Sequence, residues 1–238
     1  MSWRASAGVT AFALELLPRT TRGQAMDVLS SQANLAGYRA MVDAMAAYAR
    51  VLPMMMTAAG TVTPAKVFVV GAGVAGLQAI ATARRMGAVV SATDVRPAAK
   101  EEIESLGGKF EHLKGQDIVV TTAQIPGRKA PRIVTAEMVR SMKAGAVILD
   151  MAAESGGNVE GSQPGETVDV NGVAIIGARN LPARLAPATS ILYAKNLHNF
   201  VQLIVTKEGT LKIDTGDDLV AGTLLTHEGK IVHPNFAS

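Results

Sequence analysis

"KVFVVGAGVAGLQAIATARRMGAVVSATD" runs from Lys66 to Asp94, and its reading decides the fold. The opening "KVFVV" is short, apolar and rich in branched residues, the pattern of a strand buried on both faces. A helix follows from about Val74 to Met86, with Gly87 as its stop. "AVVSATD" (Ala88 to Asp94) is a second strand. Gly71, Gly73 and Gly76 therefore form G-x-G-x-x-G at a strand-to-helix junction. The first glycine allows the tight turn, the second lets backbone approach a pyrophosphate, and the third lets helix and strand pack closely. Asp94 lies eighteen residues after Gly76, at the end of the second strand. A carboxylate there accepts from adenosine ribose hydroxyls. The combination points to a dinucleotide. Because the carboxylate repels a 2′-phosphate, NAD(H) is expected over NADP(H), a preference that Arg96 softens without reversing.

Outward from this stretch, strand and helix signals keep alternating. Pro97 suits the first turn of a helix ending near Gly107. "DIVVTTA" (Asp117 to Ala123) and "AVILDMA" (Ala146 to Ala152) are two more apolar strands, separated by a helix from Thr135 to Met142. "VDVNGVAIIG" (Val168 to Gly177) carries an Asn171-Gly172 turn signal. Buried strands alternating with helices give a doubly wound, Rossmann-type parallel α/β sheet.

On the N-terminal side, Thr21 to Arg50 reads as a helix with Met26, Leu29, Ala33, Tyr38, Met41, Val42, Met45 and Ala49 on its apolar face. "MMMTAAGTVTP" (Met54 to Pro64) reads as a connector. Ala188 to Val205 is helical, with Leu192, Leu197, Phe200 and Ile204 inward. Asp218 to Pro234 reads as a hairpin turning at Glu228-Gly229. The expected domains are residues 1–52 as a portion of a second α/β domain plus a connecting helix, 53–187 as the dinucleotide domain, and 188–238 as a segment returning to the first.

Composition limits the function classes. The chain has 238 residues, 48% hydrophobic and only 4% aromatic, with no cysteine, which excludes disulfides and thiolate metal sites. Its net charge of +3 comes from scattered lysines and arginines, so nucleic acid is not an expected partner. Val67 to Ala83 carries no formal charge, but three glycines and Gln78 lie inside it, and the glycine motif accounts for it better than a membrane span. Met1 to Pro18 contains Arg4 and Glu15 and does not read as a secretory signal.

Candidates for chemistry are few. His112, His198, His227 and His233 are dispersed, without the i, i+4 pairing of a helical metal site, and no metal is expected. No nucleophile elbow or phosphate-binding P-loop is present. A dehydrogenase acting on an alcohol or amine needs a proton acceptor beside its substrate, and none is evident. In "RTTRGQAMDVLSS" (Arg19 to Ser31), Gln24, Asp27 and Ser30 recur every third residue, on one side of a helix start. Such a set can hydrogen-bond a carboxamide and a ribose. Thr21 with Gln24 equally fits a capping box, and Asp27 an ordinary helix-start acid.

Several long runs resemble the proton-translocating NAD(P) transhydrogenases, specifically the NAD(H)-binding domain of their alpha subunit. They are "ELLPRTTRGQAMDVLSSQANLAGYRA", "PMMMTAAGT", "GAGVAGLQAIATARRMGAVVSATDVRPAAKE" and "TTAQIPGRKAPRIVT". "GGN" (Gly156 to Asn158), "LYAKNLHNF" (Leu192 to Phe200) and "IVHP" (Ile231 to Pro234) continue the likeness. The resemblance implies direct hydride transfer from NADH bound here to NADP⁺ on a separate domain, coupled to proton passage through a membrane domain. That chemistry needs alignment rather than a catalytic acid or base. It implies that Gln24, Asp27 and Ser30 orient the nicotinamide end, with Arg19 and Thr20 close by. Gly71, Gly73, Val74, Ala75 and Gly76 would hold the phosphates. Asp94, Val95 and Arg96 would sit at the adenosine, with Ala123 and Gln124 in the loop after the next strand, where the family often has an aliphatic residue in place of Gln124.

It further implies a homodimer at the inner face of the bacterial inner membrane, on the cytoplasmic side, with the NADP(H) and membrane domains on separate chains. Two departures stand out. The family has a long region before the equivalent of Arg19, where this chain has eighteen residues. It also has a long mobile segment bearing a tyrosine, where "GGKFEHLKGQD" (Gly107 to Asp117) passes almost directly to the next strand. Alanine dehydrogenase, a relative of the family, and a binding module without turnover are the alternative readings.

Overall fold

The computed structural model describes residues 2–94, 113, 115–125 and 127–237. The chain divides into two compact units, residues 33–185 and residues 1–32 with 186–238. Their boundary falls inside the helix Val28–Ala47 (α2). From residue 36 onward this helix contributes Ala36, Ala40, Met41 and Ala44 to the core of the sheet unit.

That unit is built on strands β4 (Lys66–Val70), β5 (Val89–Thr93), β6 (Ile118–Thr121), β7 (Val147–Asp150), β8 (Thr167–Val170) and β9 (Val173–Gly177). Their order is β5-β4-β6-β7-β9-β8. All neighbours run parallel except β8, which pairs antiparallel with β9 at the edge. The Asn171-Gly172 turn signal corresponds to the hairpin between β8 and β9, with φ of 55° and 80° at the turn. Alternate side chains feed two cores. Val67, Val69, Ile118, Val120, Val147 and Leu149 meet α2 and the helix Val74–Arg85 (α3). Phe68, Val70, Val119, Ile148 and Ile175 pack with Val134, Val139 and Met142 on the other face. A sheet covered on both faces needs apolar residues at every position, which is why these strands read as continuous apolar runs. Val139 lies in a short helix, Ala136–Arg140 (α4), that Thr135 caps by accepting the Met138 N–H.

The order places β5 and β6 on opposite sides of β4, so the chain reverses its direction of progression at the carboxyl end of β4. In open α/β sheets ligands bind at that switch point. The glycine turn stands there.

The other unit contains a short helix Ser2–Ser6 (α1), strand β1 (Ala11–Phe12), the helix Ala186–Ile204 (α5), the helix Asp218–Thr223 (α6) and strands β10 (Leu224–His227) and β11 (Lys230–Ile231). The strands form an antiparallel sheet ordered β1-β10-β11. Met26, Phe200, Ile204, Leu219 and Val220 form its core, and Phe12 meets Phe200 edge-on with ring centroids 5.2 Å apart.

Several sequence expectations change in the structure. Met54 to Pro64 is not a plain connector: β2 (Met55–Thr57) and β3 (Gly60–Val62) form an exposed antiparallel hairpin. The Thr21–Arg50 helix begins only at Val28, after a separate 3-10 turn at Gln24–Met26. Within it Leu29 and Tyr38 face outward, because the buried face follows the small residues Ala36, Ala40 and Ala44 that admit close packing. In α5 the buried line is Thr189, Asn196, Phe200 and Ile204, whereas Leu192 and Leu197 are exposed. Asp218 to Thr223 is helical, capped by Asp217, before the chain enters the hairpin at Glu228-Gly229. The helix expected from Pro97 to Gly107 lies outside the described residues.

Candidate functional site

The glycine turn has the geometry its spacing implies. Gly71 sits at φ +100°, open to glycine but strained for other residues. A Cβ on Gly76 would lie 1.8 Å from the Gly71 carbonyl oxygen, so only glycine lets α3 start this close to β4. Gly37 plays the same role on α2, where a Cβ would lie 2.0 Å from the Ala75 carbonyl. Gly73 differs: nothing lies within 4 Å of a Cβ built there. It is the N-cap of α3, and no side chain caps that helix. The first amides of a helix have no intrahelical acceptor, so the backbone at Val74, Ala75 and Gly76 suits an anionic group, with open space beside Gly73 to admit it. These residues fit a diphosphate.

Asp94 is tied to the same turn. Its Oδ2 accepts the Ala72 N–H at 2.6 Å, which fixes the carboxylate beside the first glycines. On the far side, the Thr122 hydroxyl donates to the carbonyl of Gly71 at 3.1 Å. Gln124 is exposed and donates from Nε2 to the Met151 carbonyl at 3.2 Å. Val95 and Arg96 lie outside the described residues, as does His112.

In the other unit, Arg19, Thr20, Gln24, Asp27 and Ser30 all line one cavity of about 300 Å³, together with Leu17, Pro18, Thr21 and Gly23. They do so by a route that helical spacing did not reveal. Gln24 lies on the 3-10 turn, Asp27 at the junction, and Ser30 in the first turn of α2. Thr21 and Gln24 form no capping box. Asp27 caps instead, accepting the Ser30 N–H at 2.9 Å, while Thr20 Oγ1 accepts the Gly23 N–H at 3.3 Å.

Residues that spacing did not single out hold this loop. Asn196 and Asn199 of α5 both donate from Nδ2 to the Ala25 carbonyl, at 3.0 and 2.9 Å. Asn196 Oδ1 also accepts the Ser31 hydroxyl at 2.7 Å. Two asparagines three residues apart on one side of this helix were the available signal. Arg22 donates twice to Asp217, each bond 2.6 Å, and pairs with Asp218. The guanidinium holds the Asp217 carboxyl below its ordinary range.

The described histidines are separate. His198 meets Gln202, His227 meets Thr10, and buried His233 bonds the Gly222 carbonyl. No described helix is long and apolar enough to cross a membrane.

Comparison with known proteins agrees with this architecture. The family model "Alanine dehydrogenase/PNT, C-terminal domain" matches residues 40–234. An NAD(P) transhydrogenase subunit alpha protein of Rhodospirillum rubrum is 50% identical over 261 aligned positions, covering 95% of this chain and 68% of that protein. The crystal structure of a transhydrogenase from Sinorhizobium meliloti superposes with a TM-score of 0.90 at 58% identity, covering 97% of this chain and 70% of that one. An L-alanine dehydrogenase structure superposes at 0.76 with 26% identity, covering 98% of this chain and 69% of its own. The chain therefore spans about two thirds of these relatives, and it belongs to the alanine dehydrogenase/PNT family, with transhydrogenase alpha subunits among its similar relatives.

Proposed function

We propose that this chain is the NAD(H)-binding component of a proton-translocating transhydrogenase. When bound, the reduced nicotinamide supplies a hydride, which NADP⁺ on a separate domain accepts; the hydrogen and its electron pair move together, so no proton acceptor is required. The protein's own task is to bind and align. Amides at Val74 to Gly76 hold the diphosphate, and Asp94 accepts from the adenosine ribose. Gln24, Asp27 and Ser30, with Arg19 and Thr20 beside them, orient the nicotinamide end. An NADP(H) domain and a membrane domain on other chains complete the activity, and the chain works as a dimer on the cytoplasmic side of the membrane.

The observation that carries this reading is the clustering of Arg19, Thr20, Gln24, Asp27 and Ser30 around one cavity. The experiment is a fluorescence titration with NADH and NADPH. NADH binds at least about tenfold more tightly, a preference of roughly 1.4 kcal/mol, and Asp94→Ala weakens NADH binding. Equal wild-type affinity for both nucleotides overturns the reading. Likeness to an L-alanine dehydrogenase over 98% of the chain keeps a second activity open to test. Oxidation of NADH by the chain alone with pyruvate and ammonia would establish that activity instead.

A further inference from the structure

Asp150 is fully buried at the carboxyl end of β7, yet the proposed function gives it no task. Its Oδ1 accepts the Thr121 hydroxyl at 3.1 Å and the Ala152 N–H at 2.9 Å. Its Oδ2 accepts the N–H groups of Asn158 and Val159 at 3.0 and 3.2 Å. A buried carboxylate with four donors is a fixed point. What it fixes is the chain at Asn158, and Gly157 is bare where a Cβ would approach Asp150 Oδ2 to 2.9 Å.

Asn158, also fully buried, then acts on a distant loop. Its Oδ1 accepts the Ala123 N–H at 3.0 Å, and its Nδ2 donates to the Ala123 carbonyl at 2.9 Å. Nδ2 donates also to the Pro131 carbonyl at 2.7 Å. A carboxamide that bonds both polar groups of one residue sets the orientation of the flanking peptides, because each bond alone would leave a rotation free. Next along the chain, the hydroxyl of Thr122 reaches the carbonyls of Gly71 and Val70, at 3.1 and 3.3 Å. A bonded path thus crosses the carboxyl ends of three adjacent strands, from Asp150 through Asn158 and the 122–123 loop to the glycine turn.

We propose that Asn158 is a positioning residue for the dinucleotide: its carboxamide clamps Ala123, and Asp150 holds Asn158 in place to do so. The clamp sets the loop after β6 against the glycine turn before the nucleotide arrives, so binding does not have to order it. The ligand concerned is the adenosine diphosphate half, common to NADH and ADP-ribose. This inference rests on the proposed nucleotide site.

The test compares wild type, Asn158→Ala and Asn158→Ser with Val173→Ala, a destabilised control on β9. Affinities for NADH and ADP-ribose are measured by titration well below each melting temperature. Asn158→Ala weakens both ligands by about tenfold, the effect expected for one lost buried amide interaction. Asn158→Ser, which keeps a hydroxyl, falls between it and wild type, and it decides the question should Asn158→Ala fail to fold. Val173→Ala lowers the melting temperature and leaves both affinities unchanged. Wild-type binding with undiminished affinity in folded Asn158 variants overturns this inference alone, as does equal weakening in Val173→Ala. Absence of NADH binding by the wild type overturns the functional reading and this inference with it.

Discussion

Ser30 donates its backbone N–H to one carboxylate oxygen of Asp27 at 2.9 Å and its hydroxyl to the other at 2.5 Å. The pair is at once a helix cap and a portion of the cavity wall. Both oxygens of Asp27 keep unused lone pairs, and the Ser30 oxygen remains an acceptor, so capping and ligand contact are compatible. Asp27→Ala removes the cap and should cost about 1 kcal/mol of stability. Ser30→Ala keeps the backbone bond and should change stability little. Both should slow hydride exchange with an NADP(H)-binding domain. Thermal melts beside exchange rates separate the two roles, and a Ser30→Ala protein with wild-type exchange would remove that residue from the site.

Gly73 and Gly76 make a matched pair of substitutions. Gly76→Ala places a methyl 1.8 Å from the Gly71 carbonyl, and overpacking of this kind costs about 1–3 kcal/mol or more. Gly73→Ala meets nothing within 4 Å, and its φ of −75° suits alanine. It should melt like wild type and yet lose NADH affinity, because its methyl fills the space offered to the diphosphate. Melting curves and NADH titrations of the two proteins decide this, and undiminished affinity in Gly73→Ala would show that the diphosphate lies elsewhere.

Asn196→Ala leaves the Ser31 hydroxyl with only the Val28 carbonyl as partner and the Ala25 carbonyl with one donor instead of two. Loss of a buried hydrogen-bond partner costs about 1–3 kcal/mol. Asn199 is less buried than Asn196, so Asn199→Ala should cost less. The double variant should loosen the Gln24–Met26 turn and raise the KM for NADH more than either single change. Urea midpoints and steady-state kinetics with an added NADP(H) domain provide the check.

The Arg22–Asp217 pair should give a pH-dependent contribution. Because the folded carboxyl lies below its ordinary value, the pair stabilises above an unfolded value of about 3.9. That contribution disappears as pH falls through the folded value. Asn also caps helices well, so Asp217→Asn isolates the charge. The gap in urea midpoint between wild type and Asp217→Asn should be widest near neutral pH and close in acid. Added salt should shrink it too, since Arg22 is half exposed. A gap that persists in acid would assign the effect to capping.

The local sequence determined what local physics decides. Branched apolar runs fixed the strands, Gly71, Gly73 and Gly76 fixed the turn into α3, and Asn171-Gly172 fixed the edge hairpin, because each signal is complete within a few residues. Gln24, Asp27 and Ser30 were legible as a set, although their route to one cavity was not. The tertiary structure alone decided which helix faces are buried. Leu192, Leu197 and Leu29 are apolar and exposed, while Asn196 is polar and buried, since the packing partner settles burial and a single helix does not carry that information. It also decided how the loops are held. Asn196 meets Ala25 across 171 positions and Asn158 meets Ala123 across 35. Such bonds join residues that only the folded chain brings together, and no local spacing announces them.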